Sequence, residues 1–298
     1  MSRALHGGAA PRALLPALAL TFNAFVWGLS WWPFRLLHAQ GLHPLWSTAL
    51  IYLLALALLV AARPRALLQL ARTPALWVLV LAAGTTNASF NWAAATGDVV
   101  RVVLLFYLMP LWALLLGRVL LHEKLNAAAG VRMALALAGA GTVLWPEGGG
   151  LPLPRNLPEA LGVLGGFSFA LNNVMLRRQA HQSPAARGMA MFMGGAVVAG
   201  ALAALLTAAG RVPAPAVLPL PWALGAMAFA GCFILANLAL QYGATRLPAQ
   251  VTAVIMLSEL LFASLSAFAL GAGDFTGRLL LGGVLIVSAV VLATRRGH

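Results

Sequence analysis

The chain has 298 residues, 62% hydrophobic and only 8% charged, with a formal net charge of +13 and a mean hydropathy of +0.91. That balance excludes a soluble globular domain of this length. A single cysteine, Cys232, also excludes an intramolecular disulfide and a cysteine-based metal centre.

Ten apolar stretches follow one another: Leu14–Leu37, Pro44–Ala62, Pro74–Ala95, Val99–Leu121, Ala127–Trp145, Glu159–Arg177, Gly188–Ala208, Pro221–Tyr242, Pro248–Leu270 and Thr276–Thr294. A helix of about 20 apolar residues crosses the hydrocarbon core of a bilayer. No water is available there, so each crossing must close its own backbone hydrogen bonds, as a helix or a closed barrel. Barrel strands alternate apolar and polar residues. Leu50–Val60 and Leu279–Leu292 are apolar on every side, so the spacing predicts helices. The first stretch is too long for a signal-peptide core and carries Asn23, Trp27 and Pro33, so it is expected to be a retained helix. Prolines at Pro44, Pro74 and Pro221 suit first helical turns, where a missing N–H has no partner to lose. Cys232, inside the eighth stretch, is expected to pack as a small apolar residue.

Charge sets the orientation. Ten crossings put Arg3, Arg12, Arg63, Arg65, Arg72, Arg118, Lys124, Arg132, Arg177, Arg178, Arg187, Arg246, Arg295 and Arg296 on one side, against Arg35, Arg101, Arg155, Arg211 and Arg278 on the other. The positive-inside rule makes the richer side cytoplasmic, so both termini are expected there. The cations lie in short juxtamembrane loops, with no separate basic face for a nucleic acid. One lysine against eighteen arginines, with abundant Ala, Gly and Leu, suggests a bacterial chain of the cytoplasmic membrane.

Glu147–Pro158 is the one connection of linker composition near the midpoint. It divides the chain into residues 1–146, a linker 147–158, and residues 159–298, with five stretches in each half. The halves resemble each other weakly. Phe25–Arg35 aligns with Phe167–Arg177, Asn91–Gly97 with Asn237–Gly243, and Leu108–Leu115 with Ser258–Leu265. Because five is odd, the second copy must run upside down. The expected fold is therefore an all-α membrane protein of two inverted five-helix repeats around a central cavity, an architecture typical of secondary transporters.

Four segments carry a family resemblance: NAFVWGLSWWP in the first stretch, ATGDVVRVVLLFYLMPLWALLLGRVLLHEKL across the fourth, GFSFALNNVMLRR in the sixth, and YGATRLPAQVTAVIMLSELLFASLSAFAL across the eighth and ninth. With these the chain resembles the EamA-type ten-helix group of the drug/metabolite transporter superfamily over nearly its full length. The resemblance implies ten helices around a central cavity and export of amino acids, aromatic ones included, or other small metabolites. The chain departs from the group's pattern in having Glu259-Leu260 rather than Glu-Pro in the ninth stretch. It also ends that stretch with Gly271-Ala272-Gly273-Asp274.

Glu259 lies near mid-membrane, where a carboxylate costs about 2.5–3.5 kcal/mol and commonly marks a substrate or ion path. It is a candidate for proton coupling or for holding a substrate ammonium, with a hydrogen-bonded structural acid as the alternative. Pro110 at the matching place in the fourth stretch is a candidate hinge or a static bend. Asp98 and Arg101 share a helix face and either pair with each other or place Arg101 at an outer vestibule. Asn23, Trp27, Trp31, Asn87, Asn91 and Tyr107, with Asn172, Asn237 and Gln241 in the second half, form the candidate cavity lining, because amides in hydrocarbon must point towards partners. Helix packing is the alternative for the stripe Asn23/Trp27/Trp31. The expected lining elements are the first, third, fourth, sixth, eighth and ninth stretches. Small residues at Gly130/Ala134/Ala138/Thr142 and Gly162/Gly166/Ala170 are expected to be packing seams. His122-Glu123-Lys124 lacks the second histidine of a zinc helix and reads as a charged turn.

The expectation is thus a secondary transporter that exports amino acids and related small metabolites by alternating access. It has no cofactor or metal, uses protons as a possible coupling ion, and is a monomer or weak dimer in the bilayer. Alternatives are a drug or other metabolite exporter of the same fold, a channel, and an intramembrane enzyme, which would need two convergent ionisable groups within the spans.

Overall fold

A computed structural model describes residues 10–96, 99–123, 127–144, 154–215, 220–271 and 276–295, and among these no strand occurs. Thirteen helices follow in order: α1 (Ala10–Ala39), α2 (Pro44–Ala62), α3 (Pro64–Arg72), α4 (Pro74–Thr96), α5 (Val99–Phe106), α6 (Met109–Leu121), α7 (Ala127–Leu144), α8 (Leu157–Arg178), α9 (Pro184–Ala208), α10 (Leu220–Ala244), α11 (Ala249–Met256), α12 (Ser258–Ala269) and α13 (Gly277–Arg295). Among the described residues eight spans are long and apolar enough to cross a membrane, the composite spans α5–α6 and α11–α12 among them. The long helix α4 meets that measure together with α3, and α13 is a shorter apolar helix. Among the described residues the fold is all-α, and the eight spans together with α4 and α13 agree with the ten crossings expected.

Local chemistry explains where the helices begin. Proline stands in the first turn of α2, α3, α6, α8 and α9. Asn156 caps α8 by accepting from Glu159 N at 3.0 Å, and the Glu159 carboxylate reaches back to Arg155 N at 2.9 Å. This reciprocal arrangement, close to a capping box, satisfies one open amide of the helix and the amide of the residue before its cap.

Three features differ from the sequence expectation. The fourth and ninth crossings are each broken in two, at Tyr107–Leu108 and at Leu257. Pro110 and Glu259 both stand second in the helix after the break, which shifts the alignment of Leu108–Leu115 by one residue. The stretch after Arg63 is not a loop but the short amphipathic helix α3, set at 103° to α4. On α7, Gly130, Ala134 and Ala138 are exposed and face away from the bundle. The packing seam is instead Ala136, Gly139 and Ala140, all buried. A Cβ on Gly139 would come within 2.8 Å of Gly282 O on α13, and one on Gly282 within 2.6 Å of Gly139 O. The second expected seam is in contact: a Cβ on Gly162 would lie 2.8 Å from Val102 O, and one on Gly166 would overlap the Phe106 carbonyl. Cys232 is exposed on α10 rather than packed.

Helix contacts pair the halves. Helix α2 packs on α9, and α7 on α13. The contact of α4 with α8 has its counterpart in α1 with α10, and that of α5–α6 with α8 in α11–α12 with α1. These contacts map onto their counterparts when every span is moved on by five, whereas α4 packs on α9 far more extensively than α2 does on α10.

The short connections on the arginine-rich side meet at one end of the bundle. There Glu123 accepts from Ala249 N at 3.0 Å and pairs with Arg177 at 3.4 Å. Gln69 Nε2 donates to Gln182 Oε1 at 2.7 Å, and Arg177 donates to Thr245 O at 3.4 Å. Trp46 Nε1 donates to Thr207 Oγ1 at 3.2 Å at the opposite end.

Candidate functional site

A cavity of about 60 Å³ lies between the halves. Helix α1 contributes Asn23 and Trp27, α4 contributes Thr86, Asn87 and Phe90, and α8 contributes Phe169 and Asn172. Asn237 and Phe233 come from α10, Phe106 from α5, and Glu259 from α12. Helices α2 and α9 add Tyr52, Met191 and Phe192, so the second and seventh crossings line the cavity in addition to those expected.

The walls are aromatic. Trp27 stacks on Phe233 with ring centroids 4.7 Å apart, and Phe233 lies 4.4 Å from Phe229 and 5.8 Å from Tyr52. Across the cavity Phe106 lies 4.7 Å from Phe90 and 5.9 Å from Phe169. Trp27 and Phe169 occupy matching places in the two aligned halves.

Amides supply the polarity. Asn23 Nδ2 donates to Ala236 O at 2.8 Å, which fixes the orientation of its amide. Asn87 accepts from Tyr52 Oη at 2.9 Å and donates to Ala83 O at 2.7 Å. The Oδ1 atoms of Asn23 and Asn172 are buried without a hydrogen-bond partner. Asn237 is held from behind: Arg187 Nε donates to Gln241 Oε1 at 3.0 Å, and Gln241 Nε2 donates to Asn237 Oδ1 at 2.7 Å. Three backbone carbonyls, of Gln179, Ala180 and Gln182, receive Nη1 of the same arginine.

Among the described residues Glu259 is the only carboxylate in the lining, which holds no Arg, Lys or His. It stands in the first turn of α12, where the partial positive charge of a helix N-terminus favours an acid. Close packing sets its position. A Cβ on Gly28 of α1 would lie 2.8 Å from the Glu259 carbonyl and 2.6 Å from Phe262 Cβ.

Of the residues singled out from the sequence, Asn23, Trp27, Asn87, Asn172, Asn237 and Glu259 come together here. Four others do not line the cavity. Trp31 donates to Ser266 Oγ at 3.0 Å and joins α1 to α12, so the expected stripe divides after Trp27. Asn91 donates to Thr48 Oγ1 and joins α4 to α2. Tyr107 is buried, edge-on to Phe106 at 5.8 Å, and Gln241 stands behind Asn237. Pro110 is buried at the start of α6. Asp98 lies outside the described residues, as does the side chain of Arg101.

A second opening, of about 760 Å³, runs between α2–α3 and α9–α10. Arg63, Arg65 and Gln69 stand at its arginine-rich end, Leu59, Ile234 and Leu238 form its walls, and it ends on Phe192 and Asn237. Those last two residues also line the central cavity. The counterpart position at the opposite end, between α2, α4 and α9, is filled by Leu45, Ala49, Ala88, Ala199 and Ala203, with Trp46 and Trp92 packed against them. Among the described residues, then, a groove at one end has a packed cluster as its counterpart at the other.

Comparison with known proteins places this geometry. The model of the EamA-like transporter family matches residues 14–145. A solved crystal structure shares the fold with a TM-score of 0.74 at 20% identity, over 94% of this chain and 96% of the other. A search of curated proteins gives no match.

Proposed function

We propose that the chain, of which residues 14–145 match the model of the EamA-like transporter family, is a secondary transporter exporting amino acids and related small metabolites across the bacterial cytoplasmic membrane by alternating access. Residues 1–146 and 159–298 are then two inverted copies of one unit, joined by the linker 147–158. The paired helix contacts support that reading. So does the pairing of an open groove with a filled counterpart: exchanging the conformations of the two copies closes one end and opens the other.

The observation that carries the substrate class is the lining itself. It combines aromatic walls, neutral amides and one carboxylate. Such a pocket suits an ammonium group on an apolar or aromatic body, because an ammonium only donates and a carboxylate only accepts. Glu259 receives the ammonium or a coupling proton, and Asn23, Asn87, Asn172 and Asn237 orient the solute. Pro110 serves the break in the fourth crossing as a hinge. The same carboxylate in an aromatic cavity also favours a second reading, export of a cationic drug by the same fold.

The test is reconstitution in liposomes and uptake of a labelled amino-acid panel, with and without a pH gradient. The expected result is saturable uptake, with counterflow from preloaded vesicles and a response to the gradient that Glu259→Gln abolishes. Uptake of no amino acid, or flux without counterflow, contradicts the proposal.

A further inference from the structure

We infer that the groove between α2–α3 and α9–α10 is the route by which the solute reaches the cavity from the arginine-rich face, and that Arg63 and Arg65 at its mouth bind the solute's carboxylate. This rests on the transport reading above. Three observations carry it.

The first is continuity. Groove and cavity share Phe192 and Asn237, so a molecule leaving the groove inwards meets the cavity wall directly. Asn237 is held at that junction by Gln241 and, through it, by Arg187.

The second is charge. The cavity offers a carboxylate and no cation, and the groove offers two arginines and no acid. Neither guanidinium group has an ion-pair or hydrogen-bond partner among the described residues, the bonds of Arg63 to Leu59 O and from Ala66 N being made by its backbone. Glu123, at the same end, is already engaged by Arg177 and Ala249 N. A zwitterion therefore meets complementary poles in sequence, cationic at the mouth and anionic at the end. Guanidinium suits the first role because its planar donors match a carboxylate edge.

The third is shape. Leu59, Ala62, Ile234 and Leu238 give the groove apolar walls, which suit the side chain of an aromatic or aliphatic amino acid. An anionic phospholipid headgroup offers the arginines the same kind of oxygen group, and the experiment separates the two sources.

The test is inhibition of labelled phenylalanine uptake by phenylalanine and by phenylalaninamide, which keeps the ammonium and lacks the carboxylate. It uses the full chain in vesicles of phosphatidylcholine alone and with phosphatidylglycerol added. The wild type is expected to favour phenylalanine over the amide by about fivefold, in keeping with a partly exposed ion pair. The double variant Arg63→Gln/Arg65→Gln is expected to show a ratio near one with the maximal rate retained. Arg72→Gln, outside the groove lining, should keep the wild-type ratio. A ratio unchanged in the double variant overturns the inference. So does a wild-type rate that depends on phosphatidylglycerol and loses that dependence in the double variant at an unchanged ratio, which would make the groove a lipid site. Uptake of no amino acid by the wild type fails the transport reading, and this inference with it; uptake at an unchanged ratio fails this inference alone.

Discussion

Glu259 is placed where two physical effects oppose each other. Hydrocarbon surroundings penalise its charge, and the first turn of α12 favours it. A group balanced in that way is suited to exchanging a proton for an ammonium, and Glu259→Gln tests it directly. Trp27, stacked on Phe233, forms the wall opposite Phe106 and Phe169. Replacing Trp27 with alanine should raise the KM for an aromatic solute by about tenfold, the order of one aromatic pair, with less effect on a small solute; equal effects on both would contradict a stacking role. His43 makes a pH prediction outside the membrane. Burial, and then the neighbouring His38, hold its imidazole below the ordinary range, and Nδ1 accepts from Leu45 N at 3.3 Å, which needs the neutral ring. The unfolded chain takes up the proton first. Stability is therefore complete above about pH 6.5 and declines as pH falls below it. Thermal unfolding in detergent should lose this slope in His43→Gln, and a slope that survives would contradict the assignment. Residues of this kind were legible unequally. Asn23, Asn172, Asn237 and Glu259 stood out because polar groups in hydrocarbon need a reason to be there. Tyr52, Phe106, Phe169 and Phe233 did not, because a phenyl ring facing a cavity and one facing lipid have the same composition.

Helices α5–α6 and α11–α12 each interrupt one crossing, and the interruptions differ in sequence. Pro110 marks the first. Nothing comparable marks Leu257, where the chain stays in right-handed helical geometry and the break lies in the hydrogen bonds alone. Glu123 then ties the two broken crossings together, since it follows α6 and accepts from the first amide of α11. Its sequence neighbourhood suggested only a charged turn, because the partner lies 126 residues away. Glu123→Ala should destabilise the fold by about 1–3 kcal/mol, the cost of stranding a buried donor. A melting temperature equal to wild type would show that the tie carries no energy. At the seam of α7 with α13, Gly139→Leu should lower the yield of folded protein, whereas Gly130→Leu, on the outward face, should not. Both glycines have the same spacing pattern, which is why the sequence alone favoured the wrong face. Helix α3 was missed for another reason. Nine residues between two prolines, with arginines at each end, are too few and too polar to register as an apolar stretch, although Ala66 and Leu70 share one buried face.

At the scale of the whole molecule, the packing of α4 on α8 and of α5–α6 on α8 is matched by that of α10 on α1 and of α11–α12 on α1, the pattern expected of two inverted copies. An even number of crossings would place both ends of the chain on one side, and the positive-inside rule would make that side cytoplasmic. Reporter domains fused to either end should therefore both report the cytoplasm, and a split result would remove the inverted relation. The asymmetry between the ends is the more informative feature. Helices α2, α9 and α10 leave a groove at the arginine-rich end, and α2, α4 and α9 pack a closed cluster at the other. Composition and spacing gave the expectation of ten crossings and of two like halves, but one sequence serves both arrangements of such a pair, so the groove at one end was not legible in it. The most direct measurement uses spin labels at Ala62 with Leu238, across the groove, and at Ala94 with Leu205, across the closed cluster. Adding a transported solute should shorten the first distance and lengthen the second in the same population of molecules. Distances that stay fixed, or that change together in one direction, would contradict exchange of access between the two ends.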